Sequence, residues 1–399
     1  MQYRSFLIAV FLCAAPTAIA LEAGVAGAEI TPPLGGHMGG YGDRIFPVST
    51  GVHDPLYARA LVLSDGEDRL GIVTLDLVGF PKESVRTVKR GIAEKTGIEQ
   101  VMILCSHTHS GPEPSERTYP SKEESWVTKA EQRVVALVAE ANAACVPVRY
   151  GVGTGKVAEG HNRRRINPDG TATMFWRNEE REPTEPVDYE LGVVRFDTLD
   201  GKPLATIVNF TCHPVILGPK NLEFSADYPG VMRTVVEDAI GGLCFFANGA
   251  CGDINPYMDK SDPAEGAFEE VARMGRAVGE EAARVAEDIE MQEDADLTAQ
   301  TQVLTIETRW DLEDPEVIGA LEKKYGKILV QLAKQRFVPE LPLTGDLVTV
   351  TLGEDLAFVG APGEFFVEHG LSLKERSAIP HTFFFGYCFK LLKKFFFLF

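Results

Sequence analysis

Three short turn signals, each placed between two strand-like runs, constrain the fold of this chain more than any other feature. Each signal contains Gly and Asp, which favour tight hairpin turns, and the flanking runs are rich in β-branched and apolar residues. Hairpins combined with helical segments predict an α/β fold with a mixed β-sheet core and flanking helices. The predicted hairpins join 57–63 to 70–77, 193–196 to 205–211, and 347–352 to 356–359.

Helical periodicity predicts three helices between these hairpins. The first opens at Pro81, places Val85, Val88 and Ile92 on one face, and ends at Gly97. Two short apolar runs bounded by turn residues predict buried strands. No internal repeat and no long linker interrupts the pattern, so a single domain is expected over 21–387. The other helices are predicted over 126–144 and 263–289, and the buried strands over 101–105 and 243–247.

The two ends of the chain differ in composition from this domain. Residues 1–20 have a basic start, an apolar stretch and an Ala-Ile-Ala cleavage pattern, which together predict a signal peptide and a secreted or periplasmic protein. Residues 388–399 combine lysines with aromatic residues and contain no turn signal. Two interpretations of this end remain open. One is a basic amphipathic tail that makes transient contact with a membrane surface; the other is an aberrant, truncated end without a function of its own.

Charge and motif content exclude several classes of function. The 399 residues contain 39 Lys and Arg against 58 Asp and Glu, and the resulting charge of −19 argues against a nucleic-acid partner. No Cys-x-x-Cys pair is present, which argues against a thiolate zinc site. The sequence also lacks the Gly-x-Ser-x-Gly, P-loop and dinucleotide-binding patterns.

Histidines and carboxylates follow four of the predicted strands. His107 and His109 come after the strand at 101–105, and His213 follows the second strand of the middle hairpin. Asp253 and Glu364 follow two further strands. Because ligands collect at the carboxyl ends of strands in α/β sheets, these side chains are candidates for a common site.

The spacing of the first two histidines favours a metal centre. Residues two apart in an extended chain point to the same side, so His107 and His109 can face one site. Two neutral imidazoles and a carboxylate suit Zn²⁺ with an open position for water, and zinc would lower the pKa of that water and polarise a carbonyl. The His-x-His pattern alone is equally compatible with a structural pair, whereas the convergence of four strand ends favours a metal hydrolase.

Six motifs, spread over about residues 24 to 387, resemble the N-terminal catalytic domain of the neutral, or alkaline non-lysosomal, ceramidases. The run His-Thr-His-Ser-Gly-Pro, followed in order by a His-Pro and a Gly-Glu, is the most specific of them. On this resemblance the chain is identified as a C-terminally truncated member of that family. The motifs lie at 26–33, 107–112, 162–163, 209–214, 252–256 and 363–364.

The resemblance implies a zinc-dependent amide hydrolase that cleaves the N-acyl bond of ceramide or a related N-acyl lipid by a metal-activated water. Carried over by motif, His107, His213 and Glu364 are the metal ligands. His109 lies beside the zinc-bound water and either transfers a proton or stabilises the transition state, and Arg163 binds the substrate or stabilises charge. Beside them, Asp253 and Asn255 are expected to contact the substrate or to support the ligands.

Two departures from the family pattern leave alternatives open. Asn255 stands where the ceramidases carry a serine, so a mechanism here uses water rather than a side-chain nucleophile. The family also has two site tyrosines beyond the position of Tyr387, where this chain has its Phe- and Lys-rich end. The alternatives are a metal hydrolase of a soluble N-acyl or ester substrate, and an inactive binding protein that retains the fold.

Overall fold

The computed structural model describes residues 21–42, 44, 48–114, 125–293, 295–306, 311, 313–328, 330–331, 334 and 343–388. The predicted signal peptide over 1–20 lies outside these residues, as does the C-terminal end apart from Cys388. The strands are β1 (Glu22–Glu29), β2 (Gly51–Val52), β3 (Tyr57–Ser64), β4 (Arg69–Leu75), β5 (Gln100–Cys105), β6 (Val146–Lys156), β7 (Gly160–Asn162), β8 (Arg164–Ile166), β9 (Ala172–Met174), β10 (Glu190–Thr198), β11 (Pro203–Phe210), β12 (Glu223–Phe224), β13 (Leu243–Asn248), β14 (Ile254–Pro256), β15 (Leu297–Ile306), β16 (Leu343–Leu352), β17 (Leu356–Gly360) and β18 (His381–Phe385). The α-helices are α1 (Lys82–Thr96), α2 (Trp126–Ala143), α3 (Tyr228–Ile240), α4 (Ala267–Asp288), α5 (Pro315–Tyr325) and α6 (Val367–Arg376).

The core is an eight-stranded mixed sheet in the order β13-β11-β10-β6-β1-β3-β4-β5. The outermost pairs, β11 with β13 and β4 with β5, are parallel, and the pairs between them are antiparallel. A four-stranded sheet in the order β15-β16-β17-β18 forms a second layer. The predicted α/β fold with a mixed sheet is therefore confirmed.

Helices cover one face of the large sheet and the smaller sheet covers the other. Gly153 of β6 pairs with Val193 of β10, and its missing side chain leaves room for Val285 of α4. Gly192, which precedes Val193 in β10, faces the opposite side of the sheet. There the ring of Phe383 from β18 occupies the space that a side chain at 192 would need. A continuous apolar core joins all three layers.

All three predicted hairpins are present as antiparallel pairs. The helix predicted to end at Gly97 does so, because that glycine adopts a positive φ of 75° at the C-cap. The helix predicted over 263–289 is interrupted. A 3₁₀ turn at Pro263–Glu265 precedes α4, and Gly266 between them has a φ of 87°, which no right-handed helix accommodates.

The sequence does not predict strand β6, although this strand lies near the middle of the large sheet. Its glycines at 151, 153 and 155 weaken the strand signal, because glycine has low β-propensity. All three face α4, and a Cβ at Gly151 would lie 2.2 Å from Ile289 Cγ2. The glycines therefore allow the helix to approach the strand backbone closely, a tertiary requirement that local propensity does not reveal.

None of the helices in the described part of the chain combines the length and the apolar character that a bilayer-spanning segment needs.

The close approach of α4 to β6 predicts that Gly151→Ala destabilises the protein. The added methyl would also lie 2.5 Å from the backbone oxygen of Glu290, so the chain that follows α4 must shift. We expect a loss of about 1–3 kcal/mol in the free energy of unfolding, measured by urea denaturation. Gly319→Ala in α5 is the matched control, since a Cβ there meets no atom within 4 Å. A loss of equal size in both variants would contradict the packing argument.

Candidate metal centre

The candidate centre lies where β5 and β11 end. His107 follows β5 and His213 follows β11, and their ring centroids are 5.1 Å apart. His107 has a positive φ of 69°, so the chain turns sharply at the end of β5. Backbone strain of this kind is costly and is retained mainly at functional sites. Both imidazoles are buried.

Backbone carbonyls fix the orientation of both imidazoles. His107 Nδ1 is 2.6 Å from the carbonyl oxygen of Val78, and His213 Nδ1 is 3.1 Å from that of Ile254. A carbonyl only accepts, so each Nδ1 must carry the proton. In the neutral rings each Nε2 then presents a lone pair to the space between them. Hydrogen bonds of this type orient metal-ligating histidines in many proteins.

Glu364 completes the cluster from the loop between β17 and α6. Its Oε1 lies 2.7 Å from His213 Nε2 and 3.7 Å from His107 Nε2. Burial opposes ionisation of Glu364, but the hydrogen bond with His213 and the proximity of His107 hold the pKa of this carboxyl well below its usual range. Burial lowers the pKa of His213 to about 4, against the effect of Glu364. A carboxylate and the neutral imidazole of His213 therefore meet at one point.

This donor set fits a divalent metal ion. Two acceptor atoms 2.7 Å apart, as in the contact of His213 with Glu364, repel each other unless a cation or a proton lies beside them. Two imidazole nitrogens and one carboxylate oxygen form a donor set found in catalytic zinc sites. The donor atoms of His107, His109 and His213 also lie within 4.8 Å of one another. The choice of Glu364 or His109 as the third ligand stays a prediction.

His109 lies beside the cluster and is held from several directions. Its Nε2 is 3.2 Å from His107 Nε2, and the ring of Tyr41 packs edge-on against it at 4.8 Å. Arg44 donates to its backbone carbonyl. A Cβ at Gly40, which has a φ of 109°, would lie 2.8 Å from the Cβ of His109. The glycine-rich loop before β2 thus packs directly on His109, a contact that the sequence analysis did not foresee.

Arg163 approaches the cluster next to Glu364. Its guanidinium donates to the carbonyl oxygen of Gly252 at 2.6 Å and to Asn255 Oδ1 at 3.2 Å, and it lies 4.0 Å from Glu364 Oε1. Asn255 in turn donates to Asp259 at 2.8 Å. Asn255 therefore holds the arginine in place.

Asp253 supports the loop that carries Glu364. Its Oδ1 accepts from the backbone N–H of Val367 at the start of α6, and its Oδ2 accepts from Asn162. The N–H of Gly252 donates to the carbonyl of Phe365 at 2.7 Å. Burial raises the pKa of the Asp253 carboxyl, and its hydrogen bonds oppose that effect. Asp253 is completely buried, and its hydrogen bonds support the loop that carries Glu364.

Tyr387 also contacts the centre, although the sequence analysis gave it no role. Its ring stacks on His107 with centroids 4.0 Å apart, and its hydroxyl lies 3.2 Å from the sulfur of Cys251. Burial raises the pKa of this hydroxyl well above its usual range, so it is protonated.

Other histidines lie apart from the cluster. His53 stacks on Phe268 at 3.9 Å, and His161 is hydrogen-bonded to the carbonyl of Phe175. These contacts are structural.

Fold and site together define an α/β protein with a buried cluster of imidazoles and a carboxylate at the carboxyl ends of its strands. Residues 21–261 match the N-terminal region of the neutral/alkaline non-lysosomal ceramidases, and the chain belongs to that family. The family and the fold support a hydrolase.

Two solved structures share the fold. A crystal structure of neutral ceramidase from Pseudomonas aeruginosa superposes with a TM-score of 0.70 at 21% sequence identity, covering 92% of this chain and 67% of that one. A ceramidase complexed with C2 gives a TM-score of 0.71 at 20% identity, covering 92% of this chain and 68% of that one.

Because Asp253 supports the loop that carries Glu364, we predict that Asp253→Ala destabilises the protein. The change leaves the N–H of Val367 and the amide of Asn162 without their buried acceptor. We expect the free energy of unfolding to fall by about 2–4 kcal/mol in denaturant titrations, the cost of two unpaired buried donors. Asp238→Ala, at an exposed position of α3, is the control and should change little. A stable Asp253→Ala protein would remove the supporting role.

Proposed function

We propose that this protein is an exported, zinc-dependent amide hydrolase that cleaves the N-acyl bond of ceramide or of a related N-acyl lipid. One observation carries the proposal. The Nε2 atoms of His107 and His213 face the Glu364 carboxylate, while each Nδ1 is occupied by a backbone carbonyl. Membership of the ceramidase family supports the amide bond and the lipid class of the substrate. Export rests on the sequence pattern of residues 1–20.

His107, His213 and Glu364 would hold the metal. When bound, zinc lowers the pKa of a coordinated water and polarises the substrate carbonyl. The protein supplies the fixed orientation of these ligands, because the carbonyls of Val78 and Ile254 hold both rings. Neither ring has to reorient to receive the ion.

His109 is the group placed to move a proton. Amide hydrolysis requires protonation of the departing amine, and a histidine is suited to that task near neutral pH. His109 is buried beside His107, with its ring fixed by Tyr41 and its backbone by Arg44. A fixed proton donor loses little entropy during the reaction.

Arg163 is the group placed to stabilise negative charge that develops on the acyl oxygen. Its guanidinium is already oriented by Gly252 and Asn255 before substrate arrives, and pre-oriented donors of this kind contribute strongly to catalysis. Asn255 cannot act as a nucleophile, and its amide is engaged by Arg163 and Asp259. Water is therefore the attacking group.

The proposal is tested by metal analysis and hydrolysis with the same purified mature protein. We expect about one zinc per chain after dialysis, release of fatty acid from N-acyl lipids, loss of that activity with chelator, and recovery with zinc. His213→Ala should lose both metal and activity while remaining folded by circular dichroism. A folded protein without zinc and without hydrolysis would contradict the proposal and favour the inactive binding protein. Hydrolysis rates that do not depend on the length of the acyl chain would instead favour a soluble substrate.

His109→Ala separates proton transfer from metal binding. If His109 transfers a proton, the variant retains zinc but loses roughly two to four orders of magnitude in kcat. Elemental analysis and steady-state kinetics on one preparation measure both quantities. Loss of zinc would make His109 a ligand instead, as its place among the three clustered histidines allows. A wild-type rate would remove it from the mechanism.

A further inference from the structure

The four-stranded sheet has one buried edge strand and one exposed edge strand. The buried edge is β18, in which four of the five residues are buried. The other edge is β15, which extends for ten residues, and Leu297 is the only buried residue among them. Val303 in this strand keeps 64% of its surface exposed, although valine is usually found in the interior. The sheet therefore ends at the protein surface along the whole of β15.

The pairing of β15 with β16 determines which backbone groups face outward. The N–H of Gly353 donates to the carbonyl of Asp296, which makes these two residues a hydrogen-bonded pair. The next pair of the ladder, at Leu297, is then not hydrogen-bonded, and the N–H of Leu297 donates to Asp65 instead. Continuing this alternation, every second residue of β15 directs its N–H and C=O away from β16. Beyond Leu297, these open residues are Ala299, Thr301, Val303 and Thr305.

The outward backbone groups of these four open residues form no hydrogen bond within the described part of the chain, and no strand described there lies on their side of β15. Edges of this kind can pair with another chain, and proteins usually prevent such pairing with charged residues, proline, a bulge or a covering segment. β15 contains no charged residue, no proline and no glycine. Its ten pairs with β16 also run without a bulge. The strand therefore favours pairing with another strand.

A second copy of this chain matches the exposed edge in geometry and in charge. A two-fold axis at Gln302 maps the four open residues of β15 onto themselves, so all of them exchange hydrogen bonds with the second copy. Two chains that each carry a charge of −19 repel each other, and this repulsion opposes association least at an uncharged strand. The pairs across the two copies are Ala299 with Thr305 and Thr301 with Val303.

We propose that β15 is a dimerisation strand, which pairs in antiparallel orientation with β15 of a second copy of this chain. The two four-stranded sheets then join into one continuous sheet. The outward backbone groups gain partners, and the exposed side chain of Val303 is covered by Thr301 of the second copy. Because a two-fold contact is self-complementary, it closes after two copies and gives a dimer instead of a filament. β15 contributes no residue to the candidate centre, so this inference does not depend on the proposed function.

The molecular mass of the purified mature protein in solution tests the dimer. In sedimentation equilibrium we expect about twice the mass of one chain at high concentration and dissociation on dilution. Val303→Lys places a charge on the exposed edge and should raise the dissociation constant roughly 10-fold or more. The matched control is Leu199→Lys, which makes the same change at a residue that is 51% exposed in the turn after β10. The control should leave the dissociation constant unchanged.

A cysteine at the two-fold axis tests the register. Gln302 faces Gln302 of the second copy in a non-hydrogen-bonded pair, whose Cα atoms lie about 4.5 Å apart, within the span of a disulfide. We expect Gln302→Cys to form a disulfide-linked dimer under mild oxidation, seen by non-reducing electrophoresis and absent from the wild type. Gln300→Cys is the matched control, an exposed glutamine on the same face of β15. Its counterpart in the second copy lies about 13 Å away along the strand, too far for a disulfide.

The outcomes separate the second copy from other partners of the edge. A protein that stays monomeric at every concentration would overturn the dimer and leave a strand of another protein as the partner. A dimer that Val303→Lys does not weaken would place the interface away from β15. Equal cross-linking of the two cysteine variants would overturn the register at Gln302. If circular dichroism shows that Val303→Lys is unfolded, Thr305→Lys makes the same test at another exposed, open residue.

Discussion

The candidate centre depends on the curvature of the large sheet. His213 follows the second strand in the sheet order and His107 follows the eighth, so six strand spacings separate β11 from β5. At about 4.8 Å per spacing, a flat sheet would hold these strands roughly 29 Å apart. The two rings are in fact 5.1 Å apart. The sheet must therefore coil until its two edges meet, and any loss of that closure separates the two histidines.

The chain after β18 joins the two edges. The N–H of Gly386 donates to the carbonyl of Asn248 at the end of β13. Cys388 pairs with Leu104 of β5 in an isolated antiparallel β-bridge. Asn248 also donates from its side chain to the carbonyl of Ser106, directly before His107. Tyr387 lies between these contacts, with its ring on His107. One short segment thus closes the sheet and packs against the centre.

Much of the fold and part of the site could be predicted from the sequence, because they depend on local patterns. The hairpins are encoded by their turns, and the His-x-His pair follows a run whose composition marks it as a buried strand. Other features depend on contacts between distant residues. The glycines of β6 are explained only by α4, and the stacking of Tyr387 on His107 only by closure of the sheet.

Arg163 lies between the candidate centre and an exposed aromatic ring. On one side it lies 4.0 Å from Glu364, and on the other it lies over the ring of Trp176. Its position is set by Gly252 and Asn255, which belong to the same short segment as Asp253, the support of the Glu364 loop. A displacement of this segment would therefore move the arginine and the carboxylate together. The asparagine at 255 is consistent with that task, because its amide accepts from Arg163 and donates to Asp259, whereas a serine hydroxyl has a single proton and a shorter reach.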